Sequence, residues 1–206
     1  MEIITEGGAA QAQLDEAGAA TRFLLVLTHG AGGSVEAPDL LAVHEAGLQL
    51  GGLVARVTQP YQVRGARAPG SPARQDAAWA EIVAALRELA PGVPLVQGGR
   101  SNGARVACRT AAAVGARAVI ALAFPLSPPG RSPAVSRAEE LRAAREGGAR
   151  VLVVNGDRDP FGIPGAQDAD RVVVVRGETH ALKGHRAVIA AAVTEWLPTV
   201  LSASRP

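Results

Sequence analysis

The five residues Gly99-Arg100-Ser101-Asn102-Gly103 form a G-x-S-x-G motif directly after the apolar segment 93–97. A helical pattern begins just beyond the motif, near Ala104. At a strand-to-helix junction of this kind the serine sits on a tight, strained turn, and the flanking glycines let the strand and helix backbones approach each other. A chain with 24 glycines could contain this motif by chance. The motif therefore indicates a function only together with the order of the other segments.

Apolar segments recur at intervals on both sides of this motif. Continuous apolar segments predict strands that are buried on both faces of a sheet. The segments between them repeat apolar residues at three- and four-residue spacing, as amphipathic helices do. The predicted strands are 22–28, 53–57, 94–97, 118–123, 151–155 and 171–175, and the predicted helices are 38–50, 75–90, 104–114, 137–147 and 184–197, after a short hairpin within 2–20. This alternation predicts an α/β fold, a three-layer α/β/α sandwich with a mostly parallel sheet.

The composition fits one domain of this class, which we expect to cover residues 1–206. Hydrophobic residues make up 48% of the chain and aromatic residues only 3%, so aliphatic and alanine side chains must fill the core. Of the 21 basic residues only Lys183 is a lysine, and the arginines are spread along the chain rather than clustered. We therefore expect no nucleic-acid partner, and we attribute the surplus of arginine, alanine and glycine to a bacterial genome of high GC content.

Cys108 is the single cysteine, which excludes an intrachain disulfide and a cysteine-rich metal site. We expect neither a metal nor another cofactor. Residues 1–6 lack the basic and apolar segments of a secretory signal, and no apolar segment reaches the roughly 20 residues that span a bilayer. The expectation is a cytoplasmic monomer or homodimer that contacts no membrane and acts on a small molecule.

Ser101 is the candidate nucleophile, and its weakly acidic hydroxyl needs a base to take its proton. His180 follows the last predicted strand and is preferred as the base over His185, which lies at the start of the next helix. We expect His29 to pack or hydrogen-bond beside the site and His44 to lie on a surface helix.

A histidine base needs an acid that fixes its tautomer and stabilises the imidazolium. Asp157 and Asp159 both follow the predicted strand 151–155, and Asp159 is preferred. Asp157 stays an alternative, although it also suits hydrogen bonds to backbone amides of its own turn. In the simplest competing interpretation, both aspartates are plain turn residues.

An oxyanion in such a site is stabilised by two backbone N–H groups. The candidates are the amide of Asn102, which follows the serine, and the amide of Ala31 in the glycine-rich loop 29–33. A glycine-rich turn without a ligand is the alternative for that loop. Nucleotide binding is disfavoured, because the chain contains neither G-x-G-x-x-G nor a G-K-[ST] phosphate loop.

With serine, acid and histidine in this order, residues 22–197 resemble the α/β-hydrolase superfamily. A narrower resemblance, to dienelactone hydrolases and to hydrolase-like subunits of an animal chromatin-acetylating complex, is carried by the segments 29–32, 60–61, 98–101, 124–130, 156–162 and 180–183. The resemblance implies a serine hydrolase that cleaves a small carboxylic ester, thioester or lactone through an acyl-enzyme. Asn102 stands where this branch often has a bulkier apolar residue. Because the animal relatives are regarded as scaffolds, the alternative function is a non-catalytic interaction domain.

The segment 124–150 is too short for the lid domain that many relatives insert, since one helix takes up much of it. An open, shallow site suited to small substrates is therefore expected. Arg64, Arg67 and Arg100 are candidates for attracting anionic substrates. The residues expected to border the site and contact the substrate are Tyr61, Phe124, Leu126 and Phe161, together with Leu182.

Overall fold

The computed structural model describes residues 1–16, 18, 20–128 and 135–203. Its strands are β1 (Glu2–Thr5), β2 (Gly8–Glu16), β3 (Phe23–Thr28), β4 (Gly52–Thr58), β5 (Leu95–Arg100), β6 (Ala118–Leu122), β7 (Arg150–Gly156) and β8 (Arg171–Val175). Its helices are α1 (Pro38–Gln49), α2 (Pro60–Val63), α3 (Pro72–Arg87), α4 (Asn102–Thr110), α5 (Ala138–Glu146) and α6 (Arg186–Ser202).

All these strands belong to one sheet, in the order β1-β2-β4-β3-β5-β6-β7-β8. β1 and β2 form an antiparallel hairpin, and β2 pairs antiparallel with β4. From β4 to β8 every neighbouring pair is parallel, which leaves β8 at the far edge. The predicted hairpin and the mostly parallel α/β sheet are both confirmed.

Two hydrophobic clusters lie on opposite faces of the sheet and create the three layers. One contains Leu24 and Val26 of β3 and the inward side chains of α3, α4 and α5. The other contains Leu25 and Leu27 of β3 and the inward side chains of α1 and α6. Successive residues of a strand point to opposite faces, so a strand with helices on both sides reads as a continuous apolar segment.

β5 extends three residues beyond its predicted end at Gln97, through Gly98 and Gly99 to Arg100. The glycines interrupted the apolar pattern but not the strand. A Cβ atom at Gly98 would lie 2.5 Å from the carbonyl oxygen of Ile120 in β6, so a side chain at this position would clash with the neighbouring strand. Glycine here is a packing requirement of the sheet.

The last helix also extends further than predicted, passing Pro198 and ending at Ser202. Proline inside a helix removes one N–H donor, which normally ends or bends the helix. Beyond the proline, the Arg117 side chain caps the C-terminal end of the helix, because it donates two hydrogen bonds of 3.1 Å to the carbonyl oxygen of Val200. α3, in contrast, starts earlier than predicted, with Ser71 as its N-cap and Pro72 as its first residue.

Between β6 and β7 the described residues form α5 and the loops beside it, and no lid domain lies among them. Residues 129–134, which include the end of the proline- and glycine-rich segment 124–130, lie outside the described part of the chain. In the ranges that are described, none of the helices is long and apolar enough to cross a membrane.

Candidate active site

Ser101 lies between β5 and α4 with φ 53° and ψ −111°. A positive φ is unfavourable for a residue with a side chain, and such strain persists only where the surroundings enforce it. Here the Ser101 amide donates to the carbonyl oxygen of Leu122 at 2.9 Å, which fixes the turn against the end of β6. The hydroxyl is therefore presented at the carboxyl edge of the sheet.

Gly99 and Gly103 make this turn possible by allowing backbone contacts that a side chain would block. A Cβ at Gly99 would lie 2.6 Å from the carbonyl carbon of Gly103. A Cβ at Gly103 would lie 2.6 Å from the carbonyl oxygen of His29. The first turn of α4 thus packs directly against the end of β3, as the glycine spacing of the motif predicts.

His180 lies between Ser101 and Asp159 and contacts both. Its Nε2 is 2.9 Å from Ser101 Oγ, and its Nδ1 is 2.8 Å from Asp159 Oδ2. With the ring proton on Nδ1, the ring donates to the carboxylate and accepts from the hydroxyl, so all three groups are satisfied. The Asp159 side chain has no exposed surface, whereas that of His180 is 21% exposed. The three side chains meet as expected, and their catalytic roles stay predictions.

Asp159 is held by its own turn and by a buried asparagine. Its Oδ1 accepts a hydrogen bond of 2.9 Å from the Phe161 amide, and Asn155 Nδ2 lies 3.3 Å from its Oδ2. Asn155 also accepts from the Phe124 amide through Oδ1, at 2.9 Å. Sequence reasoning did not assign Asn155 a role, although a lone amide at the end of an apolar strand was the available signal.

Asp157, the alternative acid, faces a different partner. Its Oδ1 accepts from the Gly177 amide at 2.8 Å, in the loop that follows β8. The bond to an amide of its own turn that was considered for Asp157 is made by Asp159 instead. The contact of Asp157 instead joins the loops after β7 and β8.

Glu178 closes the loop that carries His180. Its carboxylate accepts from the amides of Gly184 at 2.6 Å and Lys183 at 3.2 Å. The ring Nδ1 of His185 lies 2.7 Å from the same carboxylate, and this hydrogen bond lowers the pKa of Glu178. His185 is therefore bonded to Glu178, and not to Ser101, as expected when His180 was preferred.

His29 braces the loop on the other side of the site. It is fully buried, with Nδ1 2.9 Å from the Gly30 carbonyl oxygen and Nε2 accepting from the Gln59 amide at 3.0 Å. Burial lowers the pKa of His29, which favours the neutral ring that this pair of contacts requires. His44, on α1, is 3.0 Å from Asp15 and thus contacts β2.

The two amides proposed for oxyanion binding, those of Ala31 and Asn102, donate no hydrogen bond to any atom of the described residues. Gly30 packs against the serine turn, since a Cβ there would lie 3.2 Å from the Ser101 Cβ. The loop and the turn are therefore neighbours. The Asn102 side chain is engaged separately, because its Nδ2 donates to Gln75 Oε1 at 2.7 Å.

Four of the five residues predicted to border the site divide into two groups. The Phe161 ring lies 4.4 Å from the His180 ring, and the half-buried Leu126 precedes Ser127, whose amide donates to the Phe161 carbonyl oxygen. Phe124 and Leu182, in contrast, have no exposed surface, so the prediction that they border an open site is wrong. They belong to the two hydrophobic clusters on either side of the sheet.

Tyr61 borders a cavity of about 800 Å³ whose lining does not include Ser101, Asp159 or His180. Its hydroxyl is 3.4 Å from the Gly30 carbonyl oxygen, and burial raises the pKa of Tyr61 to about 12. Gln75, the partner of Asn102, lines the same cavity. Apolar walls come from Trp79 and Ile82, and the charged lining residues are Glu6, Arg64 and Arg74. Two lining residues, Tyr61 and Gln75, therefore contact the loops of the candidate oxyanion site, although no residue of those loops lines the cavity itself.

The three arginines considered for anion binding lie in different places. Arg64 and Arg67 are both exposed, but only Arg64 lines the cavity. Arg100 Nε is 2.9 Å from the buried carboxylate of Asp39, and its Nη2 donates to the His180 carbonyl oxygen at 2.7 Å. No pattern in the sequence indicated that Arg100 would meet these two partners.

The family and the fold are clear from comparisons with known proteins. A family model described as an alpha/beta hydrolase domain matches residues 21–184. Among curated proteins, none matches this chain. The narrower resemblance to dienelactone hydrolases and to chromatin-complex subunits stays a prediction.

Several solved structures share the fold at low sequence identity. Est1E from Butyrivibrio proteoclasticus, solved with ferulic acid bound, is 18% identical with a TM-score of 0.79, over 98% of this chain and 100% of that one. XC6422 from Xanthomonas campestris, an α/β serine hydrolase without a lid, is 21% identical with a TM-score of 0.73, over 96% and 94% of the two chains. An α/β serine hydrolase homologue from Coxiella burnetii is 17% identical with a TM-score of 0.76, over 95% of each chain. Together with the family match, which covers most of the sequence, these likenesses lead to one conclusion: the chain belongs to the α/β-hydrolase family.

Proposed function

We propose that the protein is a serine hydrolase that cleaves a small carboxylic ester, thioester or lactone through an acyl-enzyme. The observation that carries the proposal is the hydrogen-bonded series from Ser101 through His180 to the buried Asp159, with contacts of 2.9 and 2.8 Å. Distances of this size suit proton transfer between a nucleophile and its base. The strained backbone of Ser101 supports the same assignment, because strain of this kind concentrates at functional sites.

In the acylation step, Ser101 Oγ attacks the substrate carbonyl carbon while His180 Nε2 takes the hydroxyl proton. Asp159 stabilises the imidazolium through Nδ1. The amides of Ala31 and Asn102 donate to the oxygen on which negative charge develops, an interaction worth about 10²–10³ in rate per donor. Collapse of the intermediate breaks the bond to the leaving group, which receives the proton from His180. Water then attacks the acyl-enzyme by the same steps and releases the acid and free Ser101.

The site supports a small substrate. Phe161 lies beside His180, and the neighbouring cavity of about 800 Å³ is within the range of small-molecule sites. Tyr61 and Leu126 are the other predicted contacts. The ferulic acid held by Est1E, which has a similar fold, makes esters of aromatic acids a reasonable set to screen alongside acetate esters and lactones.

A fluorophosphonate probe tests the nucleophile directly, since it reacts preferentially with an activated serine. We expect one label, located on Ser101 by mass spectrometry, and hydrolysis of p-nitrophenyl acetate. Ser101→Ala abolishes both, with kcat reduced more than about 10⁴-fold. Ser202→Ala is the matched control, because Ser202 lies at the end of α6 and its hydroxyl bonds only the Pro198 carbonyl oxygen among the described residues. Folded wild-type protein that neither takes the label nor hydrolyses any ester would instead favour the non-catalytic interaction domain.

A further inference from the structure

Arg100 reaches three segments of the candidate site from its place at the end of β5. Its Nη2 donates to the carbonyl oxygen of His180 at 2.7 Å. Its Nε is 2.9 Å from Asp39 Oδ2 at the start of α1. Its Nη1 approaches the glycine-rich loop 29–33, since a Cβ at Gly30 would lie 3.7 Å from this nitrogen. One guanidinium at the end of β5 thus contacts the first turn of α1 and the His180 loop, and it lies close to the glycine-rich loop 29–33.

The ion pair between Arg100 and Asp39 costs solvation free energy, because it removes both charged groups from water. The Asp39 side chain has no exposed surface and that of Arg100 is 18% exposed. Burial raises the pKa of Asp39 to about 6 even with the cation beside it. Taking both charges out of water offsets much of their mutual attraction, so a buried pair of this kind is weak evidence for a role in stability alone.

The contact at His180 is also distinct from the other bonds that hold its loop. Glu178 bonds to residues of its own loop, and the Glu178 carbonyl oxygen accepts from the Arg158 amide after β7. Those bonds connect residues within the His180 loop, and they connect this loop to the loop after β7. The bond from Arg100 connects the His180 backbone to the strand that carries Ser101.

We propose that Arg100 is a positioning residue, which holds the His180 backbone so that Nε2 stays within hydrogen-bond distance of Ser101, while Asp39 holds the guanidinium in place. The inference rests on the proposed function of the same site. Displacing a catalytic group by about 1 Å can reduce the rate about 10²-fold. Losing the Arg100 contact should therefore reduce kcat far more than it changes KM.

The test uses a charge-neutral double variant. Arg100→Met alone leaves the Asp39 carboxylate buried without its cation, which threatens folding. Asp39→Asn combined with Arg100→Met removes both charges and the bond to His180 together. The matched control is Asp76→Asn with Arg109→Met, which removes a half-buried bidentate pair between α3 and α4. Arg100→Lys is the conservative variant. It keeps the positive charge but lacks the guanidinium that contacts both Asp39 and the His180 carbonyl oxygen.

For the Asp39/Arg100 double variant we expect kcat on p-nitrophenyl acetate to fall about 10- to 100-fold with KM changed less than about twofold. Hydrogen–deuterium exchange should accelerate in the peptide covering 177–184. Arg100→Lys should recover part of kcat, and the Asp76/Arg109 control should keep both kcat and loop exchange at wild-type values. Wild-type kcat and loop exchange in the Asp39/Arg100 variant, or an equal loss in the control, would overturn the proposal.

The loop exchange also separates this inference from the proposed function. A wild-type protein without turnover would contradict the hydrolase assignment. Faster exchange of 177–184 in the Asp39/Arg100 variant of that same protein would still support Arg100 as the residue that holds the His180 loop. Unchanged exchange in an active enzyme would overturn the positioning role alone.

Discussion

The Asn102 side chain donates a hydrogen bond of 2.7 Å to Gln75 Oε1, so the residue after the proposed nucleophile is bonded to a wall residue of the neighbouring cavity. The backbone amide of Asn102, which we assign to the oxyanion site, does not depend on this bond. The side chain and the amide of one residue can therefore be tested separately.

Asn102→Leu removes the side-chain bond and keeps the amide. We expect kcat to change little, KM to change because the cavity wall is altered, and the free energy of unfolding to drop by about 1–3 kcal/mol because Gln75 Oε1 is left buried without a donor. Urea denaturation and steady-state kinetics measure the two effects. Combining Asn102→Leu with Gln75→Leu should restore most of the lost stability, and a large fall in kcat for Asn102→Leu would show that catalysis depends on the Asn102 side chain and not on its amide alone.

Two single variants compare Asp159 and Asp157 directly as the acid that supports His180. Asp159→Asn should lower kcat about 10²- to 10⁴-fold, because the amide favours the wrong tautomer of His180 and does not stabilise the imidazolium. Asp157→Asn keeps an oxygen that accepts from the Gly177 amide and should stay near wild-type activity. The measurement is kcat for both variants with their thermal stability matched. A larger loss for Asp157→Asn would reverse the assignment.

The cavity lining carries two arginines and one glutamate, and we expect it to favour substrates with a negative group. Arg64→Gln combined with Arg74→Gln should lower kcat/KM for mono-p-nitrophenyl succinate about tenfold relative to p-nitrophenyl acetate. Arg67→Gln is the control, since Arg67 is exposed and outside the lining. Equal effects of the double variant on the anionic and neutral esters would show that the cavity does not select by charge.

Asp39 should give the protein a characteristic dependence of stability on pH. Its pKa is raised from an ordinary value of 3.8 to about 6, so between these values the folded state binds the proton more tightly than the unfolded state. The contribution of Asp39 to the free energy of unfolding therefore falls as pH rises from about 4 to about 6, by roughly 3 kcal/mol. Asp39→Asn should remove this decline. Urea denaturation at pH 4.5 and pH 7 measures it, and parallel changes in both proteins would exclude Asp39 as the cause.

The sequence predicts the sheet well because strands covered on both faces need continuous apolar residues, as β3 and β7 have. It also places Ser101, Asp159 and His180 at one edge, since the carboxyl ends of parallel strands share that edge. The prediction ended β5 too early, before Gly98 and Gly99. The role of these glycines depends on the backbone of β6 and α4 and not on the local sequence pattern.

The supporting polar residues were harder to find from sequence. Asp39, Arg100 and His180 lie far apart in the chain, and no spacing rule links a helix start, a strand end and a loop. The burial of Phe124 and Leu182 likewise depends on how the helices cover the sheet. Periodicity identifies which elements form, whereas these contacts depend on the packed arrangement of all of them.

The position of β8 at the edge of the sheet has a consequence for how the site forms during folding. Ser101 follows β5 in the middle of the sheet, but His180 follows β8, the outermost parallel strand. Contact between their side chains therefore requires β6, β7 and β8 to be docked in register. In refolding experiments, the recovery of Ser101 reactivity would report on the docking of this last strand, whereas far-ultraviolet circular dichroism would report on the secondary structure of the chain as a whole.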